Sequence, residues 1–304
     1  MSGGIARYIA SHNPESRPGA VLAEPCRVSQ PDPAFAMEIS VTDTKRRSTL
    51  AAVAAVALAC LAGGAEAAQC GNSAAGFEAW KSQFAQEAQG RASAASLAAL
   101  RETNYSTATI SADRGQKSFK LSLDQFLAKR GATTIVSRGR ALKRQNAALF
   151  AQIEQRYGVP PGPLLAIWGM ETGFGAVRGN VNTLSAVATL AYDCRRSAYF
   201  TDQLYAALTL VDRGMLSSST RGAAHGEVGH TQFLPKNVLT YGTGDLNNVG
   251  AALSSTANFL KGHGWQAGAG YQPGEPNFAA LQGWNAATVY QRAIAQMGRQ
   301  IDGE

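Results

Sequence analysis

Charged side chains are scarce in this chain: 16% of its 304 residues are Asp, Glu, Lys or Arg, against 45% hydrophobic. That balance excludes a disordered protein and supplies enough apolar material for one sizeable globular domain. Histidine is rarer still. His225, His230 and His263 stand at spacings that match neither a His-Glu-x-x-His helix nor a Cys/His cluster, so no metal site is expected. Cofactor motifs are missing as well, since Gly173-x-Gly175 is too sparse for a phosphate loop. Lys/Arg-rich stretches of the nucleic-acid-binding kind, zinc-finger spacings and the aromatic-basic pattern of an RNA-binding sheet are also absent, which argues against nucleic acid as a partner. The apolar stretch Leu50 to Ala62 falls short of the ~20 residues that a membrane-crossing helix needs, so no stable transmembrane anchor is expected.

What is present begins with a basic balance, a formal net charge of +7 and a pI near 9.4, which draws the chain toward anionic partners without choosing among them. Lys45-Arg46-Arg47, the apolar stretch after it and Gly63-Gly64-Ala65-Glu66-Ala67 have the three-part layout of a secretory signal peptide. Residues 37–67 are read as that signal, cleaved after Ala67, with export to the periplasm. Residues 1–36 are read as an unstructured extension ahead of Met37, and residues 68–304 as the mature domain. Lipidation at Cys60 is the weaker alternative, because Ala57-Leu58-Ala59 lacks the usual Leu three positions upstream. Removing the leader leaves Cys70 and Cys194, an even pair that predicts one disulfide in an oxidising compartment.

Along the mature chain, Phe77, Trp80, Phe84 and Ala88 recur at helical spacing. Short helices are expected over Ser93 to Leu100 and Leu123 to Lys129, and a longer one over Ala141 to Tyr157, stopped by Gly158. Pro160-Pro161-Gly162-Pro163 then opens a helix from Leu164 to Glu171, because proline suits a first turn and not an interior. Further helices are read at Leu184 to Tyr192, Tyr199 to Val211, Ala251 to Gly262 and Thr288 to Gln300. Between them, residues 214–250 are rich in Gly and Ser and give no clear period. The expected architecture is therefore mainly α with a small loop-rich insert lobe.

On the proline-opened helix, Leu164, Ile167, Trp168 and Glu171 share one face, which sets an acid among apolar residues at the helix's negative end. Desolvation and the helix dipole both favour the protonated form there, as a general acid near neutral pH requires. An exposed, frayed end or an arginine partner is the alternative reading.

Glu171-Thr172-Gly173-Phe174-Gly175 resembles the Glu-Thr-x-Phe/Trp-Gly signature of MltB-type lytic murein transglycosylases. Tyr157-Gly158-Val159-Pro160, the segment from Leu184 to Tyr192, and Arg195-Arg196-Ser197-Ala198-Tyr199-Phe200 are similar to family segments in the same order. Gly229-His230-Thr231-Gln232-Phe233-Leu234-Pro235 resembles the Gly-x-x-Gln-Phe-Met-Pro segment, and the stretch from Ala257 to Trp265 the helix after it. Pro276-Asn277-Phe278, Trp284-Asn285 and Val289-Tyr290 are similar to the closing region. The likeness spans roughly residues 70 to 300.

The resemblance implies a lysozyme-like helical catalytic domain acting on the β-1,4 bond between N-acetylmuramic acid and N-acetylglucosamine in peptidoglycan glycan strands. It also implies that Glu171 acts first as general acid and then as base, leaving a 1,6-anhydro sugar without the second carboxylate of ordinary glycosidases. A lysozyme-like hydrolase and a non-catalytic wall-binding scaffold are the alternatives. The same likeness puts Gln232, Phe233, Trp284 and Asn285 at the substrate, and Arg195 and Arg196 within reach of its lactyl or peptide carboxylates. Four departures stand out, one being Trp284 in place of the tyrosine that the family pairs with this Asn, which keeps a sugar-stacking face but loses the hydroxyl. The calcium loop of many relatives is shortened to Thr243-Gly244-Asp245-Leu246-Asn247-Asn248, Ala223 stands where a serine is common, and Phe259 where a tyrosine is frequent. Glu227 fits no catalytic position and is read as structural.

Overall fold

A computed structural model describes residues 68–115 and 121–303. The extension, the signal segment and Cys60 lie outside the described residues. Thirteen α-helices make up nearly all the regular structure described. The first six are α1 (Phe77–Glu87), α2 (Ala94–Arg101), α3 (Thr107–Arg114), α4 (Leu123–Arg130), α5 (Ala132–Gln145) and α6 (Ala147–Tyr157). Serine side chains start three of these: Ser93, Ser106 and Ser122 each accept from a backbone N–H of the first turn, and Ser122 forms a full capping box with Gln125. The helix expected over Ala141 to Tyr157 is in fact two, α5 and α6, broken at Asn146, whose backbone leaves the helical region.

Next comes α7 (Pro161–Thr172), with Pro161 at its first position and Gly173 in the left-handed region (φ 58°) as its stop. All twelve of its residues are buried, so α7 is an interior helix wrapped on every side and not an amphipathic one. The two-residue strand β1 (Val181–Asn182) leads into α8 (Thr183–Tyr192) and α9 (Ser197–Asp212). β1 pairs antiparallel with β2 (Arg221–Gly222), which lies in the segment that has no period in the sequence. That segment also holds a helix not expected from the sequence, α10 (Pro235–Tyr241). It contributes Leu216, Val228, Phe233, Val238 and Leu246 to the main core. The chain closes with α11 (Val249–Gly262), α12 (Phe278–Trp284) and α13 (Thr288–Asp302).

Packing around α7 positions the site. α13 and α5 lie against it, and α13 comes so close that a Cβ on Gly162 would meet the Gly298 carbonyl oxygen at 2.3 Å. Only glycine permits that approach. Asp302 secures the same end of α7 by accepting from the Gly162 N–H at 2.8 Å. A second apolar cluster, built on Phe77, Trp80, Phe84, Tyr192, Phe200, Leu204 and Leu208, joins α1, α2, α8 and α9. Cys70 and Cys194 are joined in a disulfide beside it, closing 124 positions of chain, and the Gly71 N–H donates to the Tyr192 carbonyl at 2.9 Å. Among the described residues no helix is long and apolar enough to cross a membrane.

Candidate active site

Glu171 lies one residue before the end of α7 and is 4% exposed. Its Oε1 accepts two hydrogen bonds, from the Trp284 indole N–H and from the Tyr290 hydroxyl, each at 3.0 Å. Trp284 ends α12 and Tyr290 sits in the first turn of α13, so the short link between these helices delivers both donors to one carboxyl oxygen. Burial disfavours the carboxylate, while donors to it favour the charged form. Both protonation states therefore have physical support in this position.

Trp284 is itself held in place from behind. Its ring meets Phe233 edge-on at 5.5 Å and Phe259 at 5.2 Å, and those two meet each other at 6.0 Å. Phe233 is wholly buried in this wall and offers no surface to a ligand in this structure. Its effect on the site passes through Trp284. Asn285 turns inward too: its Oδ1 accepts from the Ala287 N–H at 2.9 Å, while its Nδ2 is buried without a partner.

Two segments meet at the end of α7. The Thr172 hydroxyl donates to the His230 carbonyl at 2.7 Å and accepts from the Gly175 N–H at 2.9 Å. His230 adds a clamp of its own, accepting from the Trp168 indole N–H on Nδ1 at 3.2 Å and bonding the Asn247 carbonyl through Nε2 at 3.1 Å. That pattern requires a neutral ring with the proton on Nε2. It agrees with a pKa held below the ordinary imidazole value, by burial first and then by the Arg178 charge. Among the described residues, Phe174 (φ 61°) and Gln232 (φ 58°) alone have a left-handed backbone without being glycine, and each belongs to one of these two segments. Such backbones cost energy and tend to cluster at functional sites. The Gln232 amide donates to the carbonyls of Gly229 at 2.8 Å and Arg178 at 3.3 Å, which ties it both to its own loop and to the segment after α7.

Arg195 and Arg196 enter a different constellation. Both guanidinium groups pair with Asp113, which comes from α3, a helix not expected from the sequence. His225 stands between Asp113 (3.5 Å) and Glu227 (3.6 Å), and the Glu227 carboxylate accepts the His225 backbone N–H at 3.0 Å. The acids and the histidine of this cluster are buried. Burial pushes His225 below its ordinary value, against the pull of Glu227, and likewise lowers Arg196. Arg195 keeps 47% of its side chain exposed against 18% for Arg196, so only Arg195 has a broad face left for a ligand.

Three residues of the assembled site were not picked out from the sequence as site residues. Tyr290 belongs to the closing motif but carries no local signal of a carboxyl partner. His230 fills a variable position of the Gly-x-x-Gln segment, which gives its ring no assigned role. Arg130, at the end of α4, lies within reach of the charge of Glu171 and has no sequence signal at all.

Comparison with known proteins gives the family and the fold. Residues 76–275 match the model of the transglycosylase SLT domain. Membrane-bound lytic murein transglycosylase B of Escherichia coli (strain K12) is 35% identical over 139 residues, 40% of this chain. The match spans only 38% of that protein's length. Among solved structures, SltB3 from Pseudomonas aeruginosa in complex with NAG-NAM-pentapeptide superposes with a TM-score of 0.69 at 26% identity, covering 75% of this chain and 80% of that one. The Escherichia coli lytic transglycosylase Slt35 in complex with bulgecin A gives 0.65 at 23% identity over 77% of this chain and 96% of that one, which establishes the shared fold.

Proposed function

This chain belongs to the transglycosylase SLT domain family, and from that premise we propose that it is a lytic murein transglycosylase with Glu171 as its catalytic acid and base. The observation that carries the reading is the anchoring of one buried carboxyl oxygen by Trp284 and Tyr290. A group that must first give a proton and then take one back needs both forms to be accessible, and burial and the two donors pull in opposite directions.

In this mechanism the Glu171 carboxyl group gives its proton to the glycosidic oxygen as the bond from C1 breaks, and an oxocarbenium-like sugar forms. The resulting carboxylate takes the proton of the C6 hydroxyl while O6 bonds to C1. Glu171 ends as it began, no water is consumed, and the products are a free 4-hydroxyl and a 1,6-anhydro-N-acetylmuramic acid end. One carboxyl group suffices, unlike the paired acids of ordinary glycosidases.

The substrate is taken to be a peptidoglycan glycan strand, a choice supported by the NAG-NAM-pentapeptide bound to the related SltB3. Gln232, Trp284 and Asn285 are all buried and would shape the wall behind the sugar sites, backed by Phe233, and the exposed edge of Arg195 would meet lactyl or peptide carboxylates, with Arg196 held beside it by Asp113. Export to the periplasm belongs to the same reading, supported by the signal-like segment ahead of Ala67 and by the Cys70–Cys194 disulfide.

Mass spectrometry of the products from purified sacculi tests the reading. Anhydro-muropeptides are expected from the wild type and none from a folded Glu171→Gln variant. Reducing ends that carry an added water would instead identify a lysozyme-like hydrolase, and binding without product a wall-binding scaffold.

A further inference from the structure

Arg130 is the last residue of α4, and its guanidinium carbon lies 5.0 Å from the ring centre of Phe126 and 5.8 Å from that of Tyr290. These two rings meet edge-on at 5.8 Å, and the Tyr290 hydroxyl donates to Glu171. The cation therefore sits behind the phenol that holds the carboxyl group. Its Nη2 is buried and has no hydrogen-bond partner. A buried, unpaired N–H on a charged group is costly, more so than the ring contacts alone return. Burial disfavours its charged form, and the charge of Glu171 opposes that effect.

We propose that Arg130 is a positioning residue of the Glu171 site: stacked against Phe126 and Tyr290, it keeps the phenol on the carboxyl oxygen and sets a fixed positive charge behind it. Nη2 is closed to solvent although Arg130 as a whole is half-buried, so the guanidinium is taken to act through Tyr290 and Glu171. The charged and titratable neighbours of Glu171 in this account are Tyr290 on α13 and Arg130 on α4. Two others at the end of α7 are turned elsewhere: Arg138 reaches the Gly173 carbonyl and His230 is tied to Trp168 and Asn247. Through this charge the carboxylate form of Glu171 gains stability, which serves the half of the reaction in which it takes the C6 proton.

The inference rests on Glu171 being the reacting group, yet one arm of its test needs no activity. Glu171→Gln keeps shape and removes charge, so with Arg130 in place it should lower the melting temperature by about 5 °C, because a buried cation loses its counter-charge. In an Arg130→Met background the same change should cost nothing or raise the melting temperature. Equal effects in the two backgrounds overturn the proposal. Should Arg130→Met fail to fold, the Glu171→Gln melt decides alone, and no loss of stability overturns the proposal. The second arm is the pH profile of anhydro-muropeptide release. Removing the cation should move the alkaline limb up by about one pH unit. Arg130→Lys should leave the limb near its wild-type position, and an unmoved limb in an active Arg130→Met enzyme overturns the proposal. A wild type that releases no anhydro product overturns the lytic reading, while the melts still decide the role of Arg130.

Discussion

The hydroxyl of Thr172 donates to the backbone carbonyl of His230 at 2.7 Å, so the residue after Glu171 is bonded to the residue two before Gln232. This one contact joins the two segments that carry non-glycine left-handed backbones. Thr172→Val keeps the shape but leaves the Gly175 N–H and the His230 carbonyl without that partner. A stability loss of ~1–3 kcal/mol in urea denaturation is expected, together with slower muropeptide release, because the Gln232 loop loses one of its ties to the end of α7. Unchanged stability would show that the contact contributes nothing.

Tyr290→Phe removes one of the two donors to Glu171 while keeping the ring on Phe126 and Arg130. A hydrogen bond to a charged group is worth ~1.5–3 kcal/mol, so a fall of about 10- to 100-fold in turnover is expected in the same muropeptide assay. Trp284 still holds the carboxyl oxygen, which should keep the fold intact. Turnover within a factor of two of wild type would contradict the assignment.

Stability should fall as pH drops below about 6.5. Burial lowers the pKa of His225 from its ordinary 6.5, so the unfolded chain binds this proton more tightly than the folded one. In the window between the two values the folded state stays neutral at His225 while the unfolded state gains a proton. The loss from this one group is at most about 1.4 kcal/mol for each pH unit. Thermal melts from pH 7.5 to 5 should show the decline, and His225→Gln should flatten it. An equal decline in both proteins would assign the proton uptake to other groups.

Cys70 is bonded to Cys194 at the entry to α9, across 124 positions. Replacing both by serine should cost ~2–4 kcal/mol and lower the melting temperature, with the helical circular dichroism kept at 20 °C. Intact-mass measurement of the purified mature protein, before and after reduction and alkylation, should show these two thiols released only by reductant. Two free thiols without reductant would contradict the bond.

Some of this was legible in the chain itself. The bounds of α7 come from Pro161 and Gly173, and proline and glycine act on their own backbone angles, so the signal is local and survives any tertiary context. Short helices were harder to see. α10 and α12 have seven residues each, too few for a hydrophobic period, and α10 lies in a stretch rich in glycine. The end of α5, from Ala141, and all of α6 read as one because the break at Asn146 leaves the run of helix formers without glycine or proline.

By itself the sequence determined the helix that carries Glu171, the motif around it and the cysteine pair. All three rest on residue identity and short spacing. Only the tertiary structure decided what surrounds the carboxyl group. Trp284 and Tyr290 lie 113 and 119 positions away and Arg130 comes from α4, while Arg195 and Arg196 are drawn to Asp113 on α3. Such partners are chosen by how α13 packs against α7, and α12 and α4 against α13. The pairing of a buried polar group is set by where that packing leaves donors, and no local pattern in the chain encodes that position.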